Sequence, residues 1–269
     1  MFKKLLKYDL KALYKPLLIY AIGITTCAII TRLTTIQYSN LPPYEATTPV
    51  FITIINTICY NAFYALSVAL IVTIFIRIWR HYAINFYGDE SYLTHTLPIP
   101  RHTLWNSKFL SSIITILFGL VIIAIGIFII YYSPEQLETF KFSISPSGYH
   151  GSIVLFVLLL SIAAFAQFTF ITQVGLLGIT IGNQANNNRT ARAVAIGLIS
   201  YLLSGLLTVI IVSLWATIDQ TIANSLFGNS IDSDIIPKIL LGIIIIYTLF
   251  ISTTYIVINH SLRKGIDIE

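Results

Sequence analysis

Six apolar runs, each long enough to cross a bilayer as a helix, constrain this chain more than any other feature: Lys15–Leu33, Pro49–Ile76, Phe109–Tyr131, Ser152–Ile171, Ala193–Trp215 and Pro237–Ile258. A crossing takes roughly 20 residues for a hydrocarbon core about 30 Å thick, and inside it each backbone amide must be paired within its own segment. Only 10% of the 269 residues are charged and the mean hydropathy is +0.83, which leaves no room for a soluble class. The fold class implied is all-α: one polytopic transmembrane domain over residues 1–269, with six spans. The first run lacks a small-residue cleavage site and reads as a retained span, not a signal peptide.

Cations set the expected orientation. With the N-terminus inside, Lys3, Lys4, Lys7, Lys11, Lys15, Arg77, Arg80, Arg101, Lys108, Arg189, Arg192, Arg263 and Lys264 fall on the cytoplasmic side, and only Arg32, Lys141 and Lys238 fall outside. That asymmetry predicts cytoplasmic termini. The net charge of +5 then suits anionic lipid headgroups better than nucleic acid.

Residues 2–15 repeat Lys3, Lys7, Lys11 and Lys15 on one helical face and Phe2, Leu5, Leu6, Leu10 and Leu13 on the other. This spacing predicts an interfacial amphipathic helix that bends at Pro16 into the first span. Asp9 points from the middle of the apolar face, so it either snorkels to the edge or meets a cation from another segment. Trp79 and Tyr82 suit the headgroup zone. Ile218, Ile222 and Leu226 fit either a short helix dipping into the outer leaflet or a solvated loop. Gly175, Gly178 and Gly182 form a small-residue strip suited to close helix packing, and the Asn-rich stretch from Asn183 to Asn188 ends the fourth span.

The one long polar passage in the middle of the chain is residues 84–108, INFYGDESYLTHTLPIPRHTLWNSK. Gly88 supplies a turn, Asp89, Glu90 and Ser91 favour a helix N-terminus, and Pro98 and Pro100 end that helix by about Leu97. Pro100 then suits the first turn of the next helix. A compact cytoplasmic helix with an apolar and aromatic edge needs a cover, either headgroups or a soluble partner.

The segments LLKYDLKAL and GDESYLTHTLPIPRHTLWNSK, with the glycine-rich end of the fourth span and its Arg-bearing loop, resemble the permease subunits of ABC-2 type exporters, in particular the small six-span permeases of Gram-positive bacteria. The resemblance covers essentially the whole chain. It implies a plasma-membrane subunit that works with a separate nucleotide-binding ATPase, which holds ATP and magnesium, and with a second copy or a homologous permease. The loop between the second and third spans would be the coupling helix, mapped to Gly88–Leu97. Its contacts with the ATPase would be Phe86, Tyr87, Gly88, Asp89, Glu90, Tyr92, Leu93 and Leu97, and Asp9 would be a further one. The cargo implied is an amphipathic or antimicrobial peptide, a drug or a lipid. One departure is Asp89-Glu90-Ser91 where the family often has Glu-Gly.

No G-x-x-x-x-G-K-[ST] occurs, so no ATP site, cofactor or enzymatic activity is expected of this chain itself. His95 and His102 are separated by two prolines, and no metal site is expected. The polar groups deep in the spans are neutral, such as Asn56, Asn61, Gln167, Thr169 and Ser204. They would line a cargo path or hydrogen-bond between helices. Rival readings are an ion-coupled carrier, which wants ionisable groups near mid-membrane, and a membrane scaffold or sensor whose loop recruits a partner.

Overall fold

The computed structural model describes residues 2–39, 50–88, 91, 100–132, 152–184, 188–227 and 235–263. Among these residues the chain forms seven helices: α1 (Phe2–Ser39), α2 (Val50–Tyr87), α3 (Arg101–Ile130), α4 (Ile153–Gly182), α5 (Arg189–Ile218), α6 (Gln220–Phe227) and α7 (Ile236–Arg263). All except α6 are long and apolar enough to cross a membrane. The architecture is that of a helical, multi-pass membrane protein.

The spans run past the expected ends. With 38 residues, α1 is about 57 Å long at 1.5 Å per residue, nearly twice the hydrocarbon thickness. Residues 2–15 and the first span are one helix with Pro16 inside it. The missing amide of Pro16 removes one helical bond, and the turns on either side are held by Leu13 and Leu17, both buried in the core. The apolar face of these first turns is directed at the chain's own bundle, with Lys3, Lys4, Lys7, Lys11 and Lys15 exposed behind it.

The helices assemble as two groups of three. α1 lies along α2 and α3, whereas α4 lies along α5 and α7; the groups meet where α2 and α3 touch α4 and where α3 touches α7. Hydrocarbon gives no reward for hiding apolar surface, so close van der Waals packing has to hold such contacts, and small residues permit it. A Cβ on Gly178 would collide with the Ala193 carbonyl and Gly197 of α5, and one on Gly182 would collide with the Ala193 backbone. Gly126 of α3 admits Phe63 of α2 in the same way.

Contacts along the bundle fix which ends lie together. Asp9 of α1 meets His81 near the end of α2 and Lys108 near the start of α3. Tyr255, near the end of α7, donates to Asn106 Oδ1 at 2.6 Å. The first turns of α1 and the last turns of α7 therefore share one end of the bundle with the ends of α2 and α3 that flank the 89–99 connection. At the opposite end Arg32 donates to the Tyr132 carbonyl at 2.7 Å, and the hydroxyls of Tyr60 and Tyr131 lie 3.2 Å apart.

Two turns confirm local chemistry. Asn188 caps α5 in the left-handed region at φ 54°, which Asn tolerates better than most residues. Asp219 starts α6, accepting the Thr221 amide at 3.0 Å. The Thr221 hydroxyl, and after it that amide bond, hold the Asp219 carboxyl below its ordinary value. Ile222 of α6 is fully buried against Ala216 and Ile235, while Ile218 stays outside.

Candidate functional site

The ends of α1, α2 and α3 close on a cluster of ionisable and polar side chains. Lys108 Nζ lies 2.5 Å from Asp9 Oδ1, and Ser107 donates to Asp9 Oδ2 at 2.7 Å. His81 Nε2 stands 3.1 Å from Asp9 Oδ1 and 3.0 Å from Lys108 Nζ. Asp9 is 4% exposed and Lys108 6%. An unpaired charge at such burial is very costly, so the pair and its hydrogen bonds must form together.

The sequence positions explain why three helices meet here. Asp9 lies on the buried stripe of α1, in phase with Leu13, Leu17, Ile24 and Ala28, which follows the helical repeat. On α3, Ser107 and Lys108 are followed by buried Ser111, Ser112 and Thr115, whose hydroxyls donate back to carbonyls three or four residues earlier. His81 is fixed through Asn85, whose amide donates to the His81 carbonyl at 2.7 Å and lies 3.1 Å from His81 Nδ1. With Nδ1 turned toward that amide, Nε2 faces both the Asp9 carboxylate and the Lys108 ammonium.

An aromatic floor adjoins the cluster. Tyr82, Phe86 and Trp105 are each at most 1% exposed; Tyr82 packs on Phe86 at 4.7 Å between ring centroids and meets Trp105 edge-on at 5.8 Å. Trp105 continues to Phe109 and Tyr255. The Tyr82 hydroxyl reaches Thr180 Oγ1 of α4 at 2.8 Å, and the Trp79 indole donates to the Thr172 carbonyl at 3.1 Å. A cavity of about 10 Å³ lined by Leu13, Ile78, His81, Tyr82, Lys108, Ser111 and Leu176 lies beside the ion pair.

These positions correct several expectations. Asp9 does not snorkel: it meets a cation from another segment, and its burial removes it from any surface contact. Phe86, expected as a partner-facing anchor, is interior, and so is Tyr82, expected in the headgroup zone; both complete the aromatic floor. Tyr87 and Gly88 keep partial exposure at the end of α2, and the Ser91 amide donates to the Gly88 carbonyl at 2.9 Å, closing the turn. Pro100 precedes α3 as its cap. Asp89, Glu90, Tyr92, Leu93 and Leu97, and with them most of the expected coupling helix, lie outside the described residues.

The five neutral polar groups are not joined to one another. Asn61 donates to Thr57 O, Thr169 to Phe165 O and Ser204 to Tyr201 O, each within its own helix; Gln167 is exposed, and Asn56 Oδ1 has no partner among the described residues. His81, Ser107 and Lys108 were missed by sequence reasoning, as was Gln173 of α4, fully buried with neither polar atom partnered among the described residues. Asp9 on an apolar face was the available signal for the cluster; nothing in the sequence marked Gln173.

Comparison with family models, with curated proteins and with solved structures finds no match. Chemically, the cluster is a salt-bridged clamp: one carboxylate accepts from an ammonium, an imidazole and a hydroxyl supplied by two other helices.

Proposed function

We propose that this chain is the membrane-spanning permease subunit of an ATP-driven exporter, moving an amphipathic or antimicrobial peptide, a drug or a lipid out of a bacterial cell across its plasma membrane. A separate nucleotide-binding ATPase would supply the energy, and a second copy or a homologous permease would complete the translocation path. The observation that carries this reading is the clamp and its aromatic floor. Together they tie both helices flanking the 89–99 connection to α1, so force applied at the connection would move α1, α2 and α3 as one body.

On this reading the connection is the docking element, with Tyr87, Gly88, Asp89, Glu90, Tyr92, Leu93 and Leu97 facing the ATPase. Asp9 and Phe86 act from inside by stiffening the ends. The cation excess at this end supports a cytoplasmic location by the positive-inside rule. The test is purification in a mild detergent followed by mass spectrometry. A nucleotide-binding subunit should accompany the wild-type chain and be lost from a Leu93→Asp/Leu97→Asp double variant; a wild-type chain that carries no ATPase would refute the reading and leave a scaffold or sensor.

The same clamp favours one second reading. Ionisable groups buried among spanning helices are the hallmark of ion-coupled carriers, and Asp9 with Lys108 and His81 supplies such a group. Transport that persists without ATP and collapses with the proton or sodium gradient would select it.

A further inference from the structure

Gln173 is the one buried side chain among the described residues with both a donor and an acceptor unpartnered; Trp105 Nε1 and Asn56 Oδ1 are single orphaned atoms. The buried Thr169, Thr172 and Thr180 of α4 donate to carbonyls of their own helix, but Gln173 Nε2 and Oε1 both lack a partner among the described residues at 0% exposure. A carboxamide offers two donors and an acceptor. Holding all of them unpaired in an apolar interior opposes the packed state.

Helical phase fixes where the side chain emerges. On one side of it around α4 lies Leu176, which lines one small cavity together with Ile78 and Tyr82 of α2 and Lys108 and Ser111 of α3. On the other lies Phe170, which packs on Tyr247 and Phe250 of α7. Gln173 bisects these two directions, so it points into the junction where α4 meets both α3 and α7. Ser112 of α3 shares the face on which Trp105 and Phe109 meet Tyr255 of α7, and is itself buried. This junction is also the line along which the two three-helix groups meet.

We propose that the junction of α3, α4 and α7 is a ligand-admitting seam with Gln173 as its polar contact. Its ligand carries a hydrogen-bond donor and acceptor side by side on an apolar body, which is the chemistry of a peptide amide. The packed state is one end of a cycle; when the two groups part, Gln173 gains the partner it lacks. This deepens the exporter reading and rests on it for the passage of the ligand, but the seam's opening can be measured without an ATPase.

The test uses the full chain with Cys27 and Cys59 replaced by alanine, reconstituted in lipid vesicles and exposed to a hydrophilic methanethiosulfonate reagent. Gln173→Cys should label at least about ten-fold faster than Ile24→Cys, whose position is equally buried but lies inside the α1–α3 group. In parallel, Gln173→Leu should raise the thermal midpoint, since it removes the unpaired groups, while weakening binding of a fluorescent amphipathic peptide about ten-fold; Gln173→Asn should retain most of the binding. Equal protection of the two cysteine variants overturns the proposal. So does a Gln173→Leu variant that is less stable and binds the peptide normally, the behaviour of a carboxamide with a purely structural role. Loss of ATPase co-purification with rapid Gln173→Cys labelling would remove the exporter and leave the seam.

Discussion

Removing the negative charge of Asp9 is the perturbation whose size follows most directly from the geometry. At 2.5 Å, an ion pair attracts with about 6–7 kcal/mol at an effective dielectric constant of roughly 20, and desolvating the two ions consumes most of that gain. The pair is therefore worth little against an uncharged pair, whereas either charge left alone is expensive. Asp9→Asn removes the carboxylate charge that faces the Lys108 ammonium, itself only 6% exposed, and should cost about 3–5 kcal/mol. Lys108→Met leaves the carboxylate with its Ser107 and His81 donors and should cost about 2–4 kcal/mol. The Asp9→Asn/Lys108→Met double variant should lie within about 1–2 kcal/mol of wild type, giving a coupling of 3 kcal/mol or more, approximately. Unfolding by sodium dodecyl sulfate in mixed micelles, followed by fluorescence of Trp79 and Trp105, measures each value. Single variants within about 0.5 kcal/mol of wild type, or a double variant that loses the sum of the two, would refute a mutually dependent buried pair.

Other consequences are smaller but separable. Tyr82→Phe deletes the bond to Thr180 and should lower stability by about 1–2 kcal/mol, measured in the same micelle titration. Gly178→Val drives side-chain atoms into the α5 backbone and should cost at least about 1–3 kcal/mol, whereas Gly205→Ala, with nothing within 4 Å of the added carbon, should be neutral or stabilising by up to ~1 kcal/mol. The Asp219 carboxyl lies below its ordinary value of 3.8. Its capping of α6 is thus complete above that pH and lost as pH falls through the lowered value. The hydrogen-exchange protection factor of the Thr221 amide should fall only in that acidic window in wild type, and should be low at every pH in Asp219→Ala.

The spans were legible because hydrophobic run length is a property of the sequence alone. So was the use of the glycines, since Gly178 and Gly182 permit an approach to α5 that no other residue allows. The clamp was only half legible. Asp9 on an apolar stripe declared that it needed a partner, but Lys108 is 99 positions away, and the choice among the thirteen cations expected on that side depends on which helices face each other. The unbroken run of α1 through Pro16 was hidden for a related reason: local propensity favours a break, and the packing of Leu13 and Leu17 in the core overrides it. Gln173 was passed over in favour of Gln167, six residues earlier on the same helix; composition treats them alike, and only burial distinguishes the exposed one from the one sealed inside.

The reading as a driven permease is tested most directly by photo-cross-linking from the 89–99 connection. A photoreactive amino acid in place of Tyr92, activated in intact cells and analysed by mass spectrometry, should yield a covalent adduct with a nucleotide-binding ATPase. Adducts with lipid alone, at every position tried along that connection, would contradict it.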